Sequence, residues 1–396
     1  MSRQKTTLRT TLATLDQAFR TALRAIFKDA GVLTFVVLLP LFYPLLYSFI
    51  YTRETVREVP FCVVDLSQTS ASREFIRRVD ASPACRIAAR RTDLRAARSL
   101  VERREVYGIV VVPADFSRAL VRGERAHVSI YCDMSGMLYY KALLVACTDV
   151  SLDMNADIKV QRAPGVTRSE DAATRRPLRY ESVSLYNPQS GYAAFLIPAV
   201  LVLVLQQALL LGVGMAAGTR REQRQAAGTS APAGANEPEG LLAAAAGAAA
   251  WLVPYVPAAC YVLGVVPRLF RLPHLADWGD FALFVVPFLL AILGFSLFVS
   301  LFVRTRERVM LLVVFTSVPL LFLSGVSWPG SAVPTFWKWV AAAFPSTFGI
   351  NACVRLQSMG AELSAVRGEV AALWLQAGIY FGLWAAFRRQ SFRVSR

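Results

Sequence analysis

The chain has 396 residues, 55% of them hydrophobic and 18% charged, with a formal net charge of +16 at pH 7. A soluble domain of average composition carries roughly 25% charged residues, and here the charges crowd into residues 1–30 and 52–181 and thin out sharply elsewhere. This pattern excludes an ordinary soluble protein. A nucleic-acid-binding face would explain the positive balance but not the long uncharged runs, whereas basic segments flanking membrane spans explain both.

Residues 1–30 read as a cytoplasmic interfacial helix, because Leu12, Leu15, Phe19, Leu23 and Ile26 recur at helical spacing among Arg9, Arg20, Arg24 and Lys28. That pattern suits a passive anchor and a force-transmitting element equally. The first apolar run starts only at Gly31 and has no small-residue cleavage site behind it, so it is expected to persist as a signal anchor, transmembrane helix 1, over 31–52. Pro40 and Pro44 are placed to bend it.

Residues 53–187 read as an extracytoplasmic α/β domain. "VPFCVVDLS" has the composition of a buried strand, and "SASREFIRRVDAS" that of a helix with a serine start. "CRIAAR", "YGIVVVP" and "HVSIYCDM" follow as strands. The helical stretches "DLRAARSLVERREV", with Asp93 near its N-cap, "ADFSRALVRGE", ending at Gly123, and Leu138–Lys159 alternate with them. Strands alternating with helices imply a small α/β unit. Residues 161–181 are polar and Pro/Gly-marked, as an extended return to the membrane would be. Cys62, Cys85, Cys132 and Cys147 fall in this domain; their spacing matches no disulfide framework and suits buried apolar positions, though an exported domain permits bridges. The two histidines, His127 and His274, lie near no CxxC, so no metal site is expected.

Tyr186-Asn187-Pro188 stands flush against the second apolar run and marks the junction of domain and membrane. Residues 188–396 hold the remaining spans. In all, six runs lack Asp, Glu, Lys and Arg and are long enough to cross: 31–52, 191–219, 241–267, 281–303, 309–328 and 370–387. A further stretch, 332–350, carries Pro334, Lys338 and Pro345 and reads as a helix pair that dips into the membrane within an outer re-entrant region, 329–350. In span two, Gly212, Gly214 and Gly218 allow close packing, while Gln206 and Gln207 either hydrogen-bond across helices or face a translocation path. The fold class is thus an α-helical polytopic membrane protein of six spans and a re-entrant pair, with an inserted α/β domain.

Direction follows from the short segments. Arg3, Lys5, Arg9, Arg20, Arg24, Lys28, Arg220, Arg221, Arg224, Arg304, Arg306, Arg308, Arg388, Arg389, Arg393 and Arg396 share one side, sixteen in all, against the five of the other, Arg268, Arg271, Lys338, Arg355 and Arg367. Both termini, and the loop 218–240, are therefore expected in the cytoplasm.

Much chemistry is missing. Each of the five lysines follows a residue other than Gly, so there is no P-loop, and neither G-x-S-x-G nor HExxH occurs. No catalytic residue and no cofactor is expected. The spans carry no ionisable residue of the kind that proton-coupled carriers place at depth. If the protein moves a solute, the energy must come from a partner, and "GTRREQRQAAGT" (218–229), emerging straight from span two, is where a partner could push.

Four stretches in order carry a family resemblance: "VVDLSQTSASREFIRRVDAS" (63–82), "YGIVVVPADFSRALVRGE" (107–124), "LYNPQSGYAAFLIPAV" (185–200) and "SGVSWPGSAVPTFWKWVAAAFPSTFGINACVRLQSMGA" (324–361). Nearly the whole chain resembles a membrane permease subunit of the type-2 class of ATP-binding-cassette (ABC) exporters, in the subgroup with a large extracytoplasmic domain between the first two spans. Leu66 and Gln68 depart from the more polar form usual in the first stretch. The resemblance implies cytoplasmic ABC ATPase subunits, a second permease copy or paralogue, a bacterial inner membrane, and in some members a periplasmic adaptor. It places ATPase coupling at Thr219, Arg220, Arg221, Glu222, Gln223 and Arg224. Gly228 and Thr229 arrive about two residues late against the family pattern, and an Ala/Pro/Gly-rich insertion, "SAPAGANEPEG", follows. By analogy the substrate is amphipathic or hydrophobic, drug or lipid-like. The alternative is a non-transporting scaffold whose outer domain binds envelope partners.

Overall fold

The structure, a computed structural model, describes residues 2–52, 55–162, 185–188, 191–226 and 240–393. It divides into two compact units, Thr55–Val183 and the remainder, Met1–Glu54 with Ser184–Arg396.

In the first of these, four strands form one sheet: β1 (Val59–Asp65), β2 (Cys85–Arg91), β3 (Gly108–Val112) and β4 (Ser129–Cys132), in the order β2-β1-β3-β4. β1 runs parallel to β2 and β3, and β4 pairs antiparallel with β3. Side chains along β1 alternate between two cores: Phe61 and Val63 join Phe75, Ile76 and Phe116, while Cys62 and Val64 join Ala97, Leu100 and Ile109. Burial on both faces is why this strand reads as an unbroken apolar run. The helices are α1 (Ser2–Lys28) and α2 (Ala30–Ile50) in the other unit, then α3 (Ser70–Asp80), α4 (Leu94–Glu102), α5 (Phe116–Arg122) and α6 (Met137–Arg162) here. Thr69 and Ser72 form a reciprocal capping box at α3, and Asp93 caps α4 through the Ala96 amide at 2.8 Å. The expected return segment lies outside the described residues, except that Gln161 and Arg162 end α6.

The six cysteines are free. Cys85 and Cys147 are buried and Cys132 is half-buried against the same core. Burial pushes the thiols of Cys85 and Cys132 up to about 11 and that of Cys147 up to about 12, so thiolate is scarce at neutral pH and these groups behave as small hydrophobes.

The helical unit is built around α7 (Tyr192–Ala226), whose apolar length is buried almost throughout. Around it pack α2, α9 (Trp278–Ser300), α10 (Arg306–Leu323) and α12 (Pro345–Cys353). α8 (Leu241–Leu269) receives α1, and α13 (Arg367–Arg393) lies along α9. Two helices, α11 (Thr335–Ala342) and α12, cover most of 332–350, and α12 continues to Cys353; Pro345 opens α12 where a missing N–H costs nothing. A π-turn at Thr34–Leu38 precedes Pro40 in α2, the disturbance expected of a proline on a helix.

Five helices among the described residues are long and apolar enough to cross a membrane: Ala30–Ile50, Tyr192–Ala226, Leu241–Leu269, Trp278–Ser300 and Leu363–Arg388. α10 falls outside that set because it has 18 residues and its first turn is Arg306-Glu307-Arg308. α7 also differs from the expectation. It continues as helix to Ala226, so the first part of the stretch read as loop 218–240 is helical, and Arg, Glu and Gln, which sustain helices well, account for the extension. The late Gly228 and Thr229 and the insertion after them lie outside the described residues.

Candidate functional site

Span two's helix is unusual in being buried while carrying three glycines on its contact surfaces. Gly212 faces Val36 of α2 and Gly214 faces Val309 of α10. Gly218 lies directly on the backbone between α9 and α10, where a Cβ would stand 2.8 Å from both the Thr305 carbonyl carbon and the Arg306 amide nitrogen. Only glycine permits that approach.

The close approach brings the next turn of α7 onto the same connection. Arg221 donates to the carbonyl of Leu301 at 2.8 Å and also to that of Val303. Glu222 accepts from the amide of Arg306 at 2.9 Å, satisfying one of the orphan donors at the start of α10. Arg306 in turn donates to Asp29 at 2.9 Å, and the Asp29 carboxylate accepts from the amides of Gly31 (3.0 Å) and Val32 (3.2 Å), capping α2. Thr219 reaches the second Asp29 oxygen at 3.5 Å and donates to Met215 O at 3.0 Å. Burial pushes the Asp29 carboxyl up, but the Val32 amide, the Arg306 guanidinium and the Gly31 amide outweigh it and hold the group below its ordinary value. One polar node thus ties the ends of α2, α7, α9 and α10.

Of the six residues assigned to coupling, Thr219, Arg221 and Glu222 lie in this node. Arg220 and Arg224 line an adjoining cavity, which Arg221 also borders, and Gln223 is exposed. Asp29 and Arg306 complete the node; Asp29 was not singled out in the sequence, and Arg306 was counted there only among the basic residues of the cytoplasmic side. The available signal was Asp29 standing immediately before the first apolar run, the place of an N-cap.

Deeper in α7, Gln206 accepts from the Ser346 amide at 2.6 Å and Gln207 donates to Thr316 Oγ1 at 3.4 Å, so the pair binds α7 to α12 and α10. The Nε2 of Gln206 and the Oγ of Ser346 are buried with no hydrogen-bond partner among the described residues. At the other end, Tyr186 has φ of +64°, and the Asn187 side chain clasps Gly191 from both sides, Nδ2 to O at 2.9 Å and Gly191 N to Oδ1 at 3.0 Å. The clasp sets the residue before α7; Pro188 stands four positions ahead of the helix start and has no part in it. Asn187→Ala should therefore lower stability by about 1 kcal/mol, the usual worth of a side-chain cap, and Pro188→Ala by less than half of that, both read from thermal unfolding in detergent.

Long apolar helices held by a polar seam define a polytopic membrane protein. Over residues 30–386 the chain matches the family described as ABC-2 family transporter protein, and it belongs to that family. It is a permease component of an ABC transporter, a class that works with an ABC ATPase in the membrane. No curated protein matches the chain.

Proposed function

We propose that the chain is the permease of an ABC exporter that moves an amphipathic or hydrophobic substrate, drug or lipid-like, outward across a bacterial inner membrane. The ATPase acts on the end of α7, and the node carries its motion to α2, α9 and α10. The observation behind this reading is that residues 218–222 hold the α9–α10 connection by backbone contact and three hydrogen bonds, and reach Asp29 through Arg306. A displacement of α7 therefore cannot leave its neighbours behind. The working unit adds α10 to the five other spans, with both termini and the end of α7 in the cytoplasm, 53–187 outside as its α/β domain, and a second permease copy or paralogue. The exposed apolar faces of α2 (Phe42, Leu46, Phe49) and α10 (Val314, Phe315, Val318) are available to lipid or to that second copy.

Inside-out vesicles containing the permease with its copurified ATPase test this. ATP should drive a fluorescent cationic amphiphile or a short-chain fluorescent lipid into the lumen, and the non-hydrolysable analogue should not. Failure to recruit any ATPase would favour the scaffold alternative; ATP-driven movement out of the lumen would reverse the direction.

A further inference from the structure

The outer face of α6 carries a pattern that its own fold does not use. Leu143, Ala146, Cys147 and Val150 turn into the core of the α/β unit. Away from that core, Leu138, Val145 and Leu152 are 46%, 47% and 46% exposed. They recur every seven residues, so on an α-helix they form one line that drifts only about 20° per repeat. Apolar side chains scattered singly over a surface are ordinary, but a heptad line of them is the pattern of a helix-pairing seam. Lys141 and Asp149, both exposed, stand four residues before and four after Val145. Neither has a hydrogen-bond or ion-pair partner among the described residues, whereas Asp157 on the same helix pairs with Arg78 at 2.9 Å.

These positions are symmetric about Val145. In an antiparallel pair of α6 helices crossing there, Val145 faces its own copy, Leu138 meets Leu152, and Lys141 stands level with Asp149, the last two contacts each occurring twice. Such reciprocity is what a twofold interface requires, residue i contacting j and j contacting i. A parallel pair would instead set Lys141 beside Lys141 and Asp149 beside Asp149. We propose that α6 docks antiparallel against α6 of an identical second copy, centred on Val145. The inference rests on the second permease of the reading above, and the self-matching of the seam favours a copy over a paralogue. So short a seam buries far less than the roughly 1,200 Å² of a stable interface. It therefore closes between chains that their membrane spans already hold together, where the contact is effectively intramolecular.

Cysteine cross-linking of the full chain in nanodiscs tests this, with Cys260, the exposed one of the six cysteines, replaced by serine. All five substituted positions are exposed, so the core is left untouched. Val145→Cys should give a disulfide-linked dimer on mild oxidation. Leu138→Cys alone should not, because its two copies stand about 21 Å apart along the pair and a disulfide needs Cα atoms within about 7 Å. Leu138→Cys chains coexpressed with Leu152→Cys chains should link. Lys141→Glu should slow the Val145→Cys link by up to about fivefold for each of the two pairs it breaks, and adding Asp149→Lys should restore the rate. A Leu138→Cys chain that links to itself, no link at Val145→Cys, or protection of that thiol without a link would overturn the proposal. None of this needs ATP. A chain dimeric by mass that fails to link refutes the α6 contact alone, and one that links but recruits no ATPase refutes the exporter reading alone.

Discussion

Gly218→Val is expected to disable the permease while leaving its other helices intact. The added Cβ would meet backbone atoms of Thr305 and Arg306 at 2.8 Å, and backbone cannot rotate away as a side chain can. Overpacking of this kind costs about 1–3 kcal/mol. It also lifts Arg221 and Glu222 off the carbonyls and the amide they hold, so the loss falls on the connection from α7 to the α9–α10 turn. Gly214→Ala provides the comparison. Its Cβ would come 2.5 Å from a methyl of Val309, but that neighbour is a side chain, and its effect should be the smaller. Thermal unfolding and ATP-driven transport measured on both variants separate the two cases: Gly218→Val should lose transport, and Gly214→Ala should keep most of it.

The second large effect concerns Asp29 and Arg306. Each has other partners in the node, so a double-mutant cycle with Asp29→Asn and Arg306→Gln should return a coupling within the usual range for contacting residues, about 0.5–3 kcal/mol. Exposed pairs give about 0.2–1 kcal/mol; this one is only part exposed and its carboxylate is held by the Gly31 and Val32 amides, so a value above that band is expected. The pH dependence follows from the lowered carboxyl. Because the folded-state value lies below the ordinary 3.8, the Asp29 contribution is complete at neutral pH and is lost as acidification carries the pH below 3.8 and through the folded value. Asp29→Asn should remove that part of the acid sensitivity, as read from unfolding midpoints across the acid range.

Most of the architecture could be read from period and charge. The stretch "VPFCVVDLS" contains β1, "SASREFIRRVDAS" contains α3, and Leu138–Lys159 falls within α6, because alternation and helical spacing are local properties of the chain. The apolar run 191–219 likewise falls almost wholly within α7. What escaped was whatever depends on distant partners. Arg306 and Asp29 are 277 positions apart, and in sequence each is one charge among several at a basic membrane edge. The helical extension of α7 was hidden because Thr219–Arg224 is as consistent with a polar loop as with a helix until it has the α9–α10 turn to lie against. At Tyr186-Asn187-Pro188 the proline drew attention, yet the work of holding the turn is done by the Asn187 amide, whose partner Gly191 carries no signal of its own.

The central claim is that the ATPase acts through Arg221 and Glu222. ATP turnover of the reconstituted complex tests it most directly, with Glu222→Gln and Arg221→Ala compared to wild type and the amount of bound ATPase measured in each. Loss of the transmitted contact should lower substrate-stimulated turnover about tenfold, equivalent to ~1.4 kcal/mol at the barrier, while the ATPase stays bound and basal turnover persists. Full stimulation in both variants, with the chain folded and the ATPase in place, would contradict it.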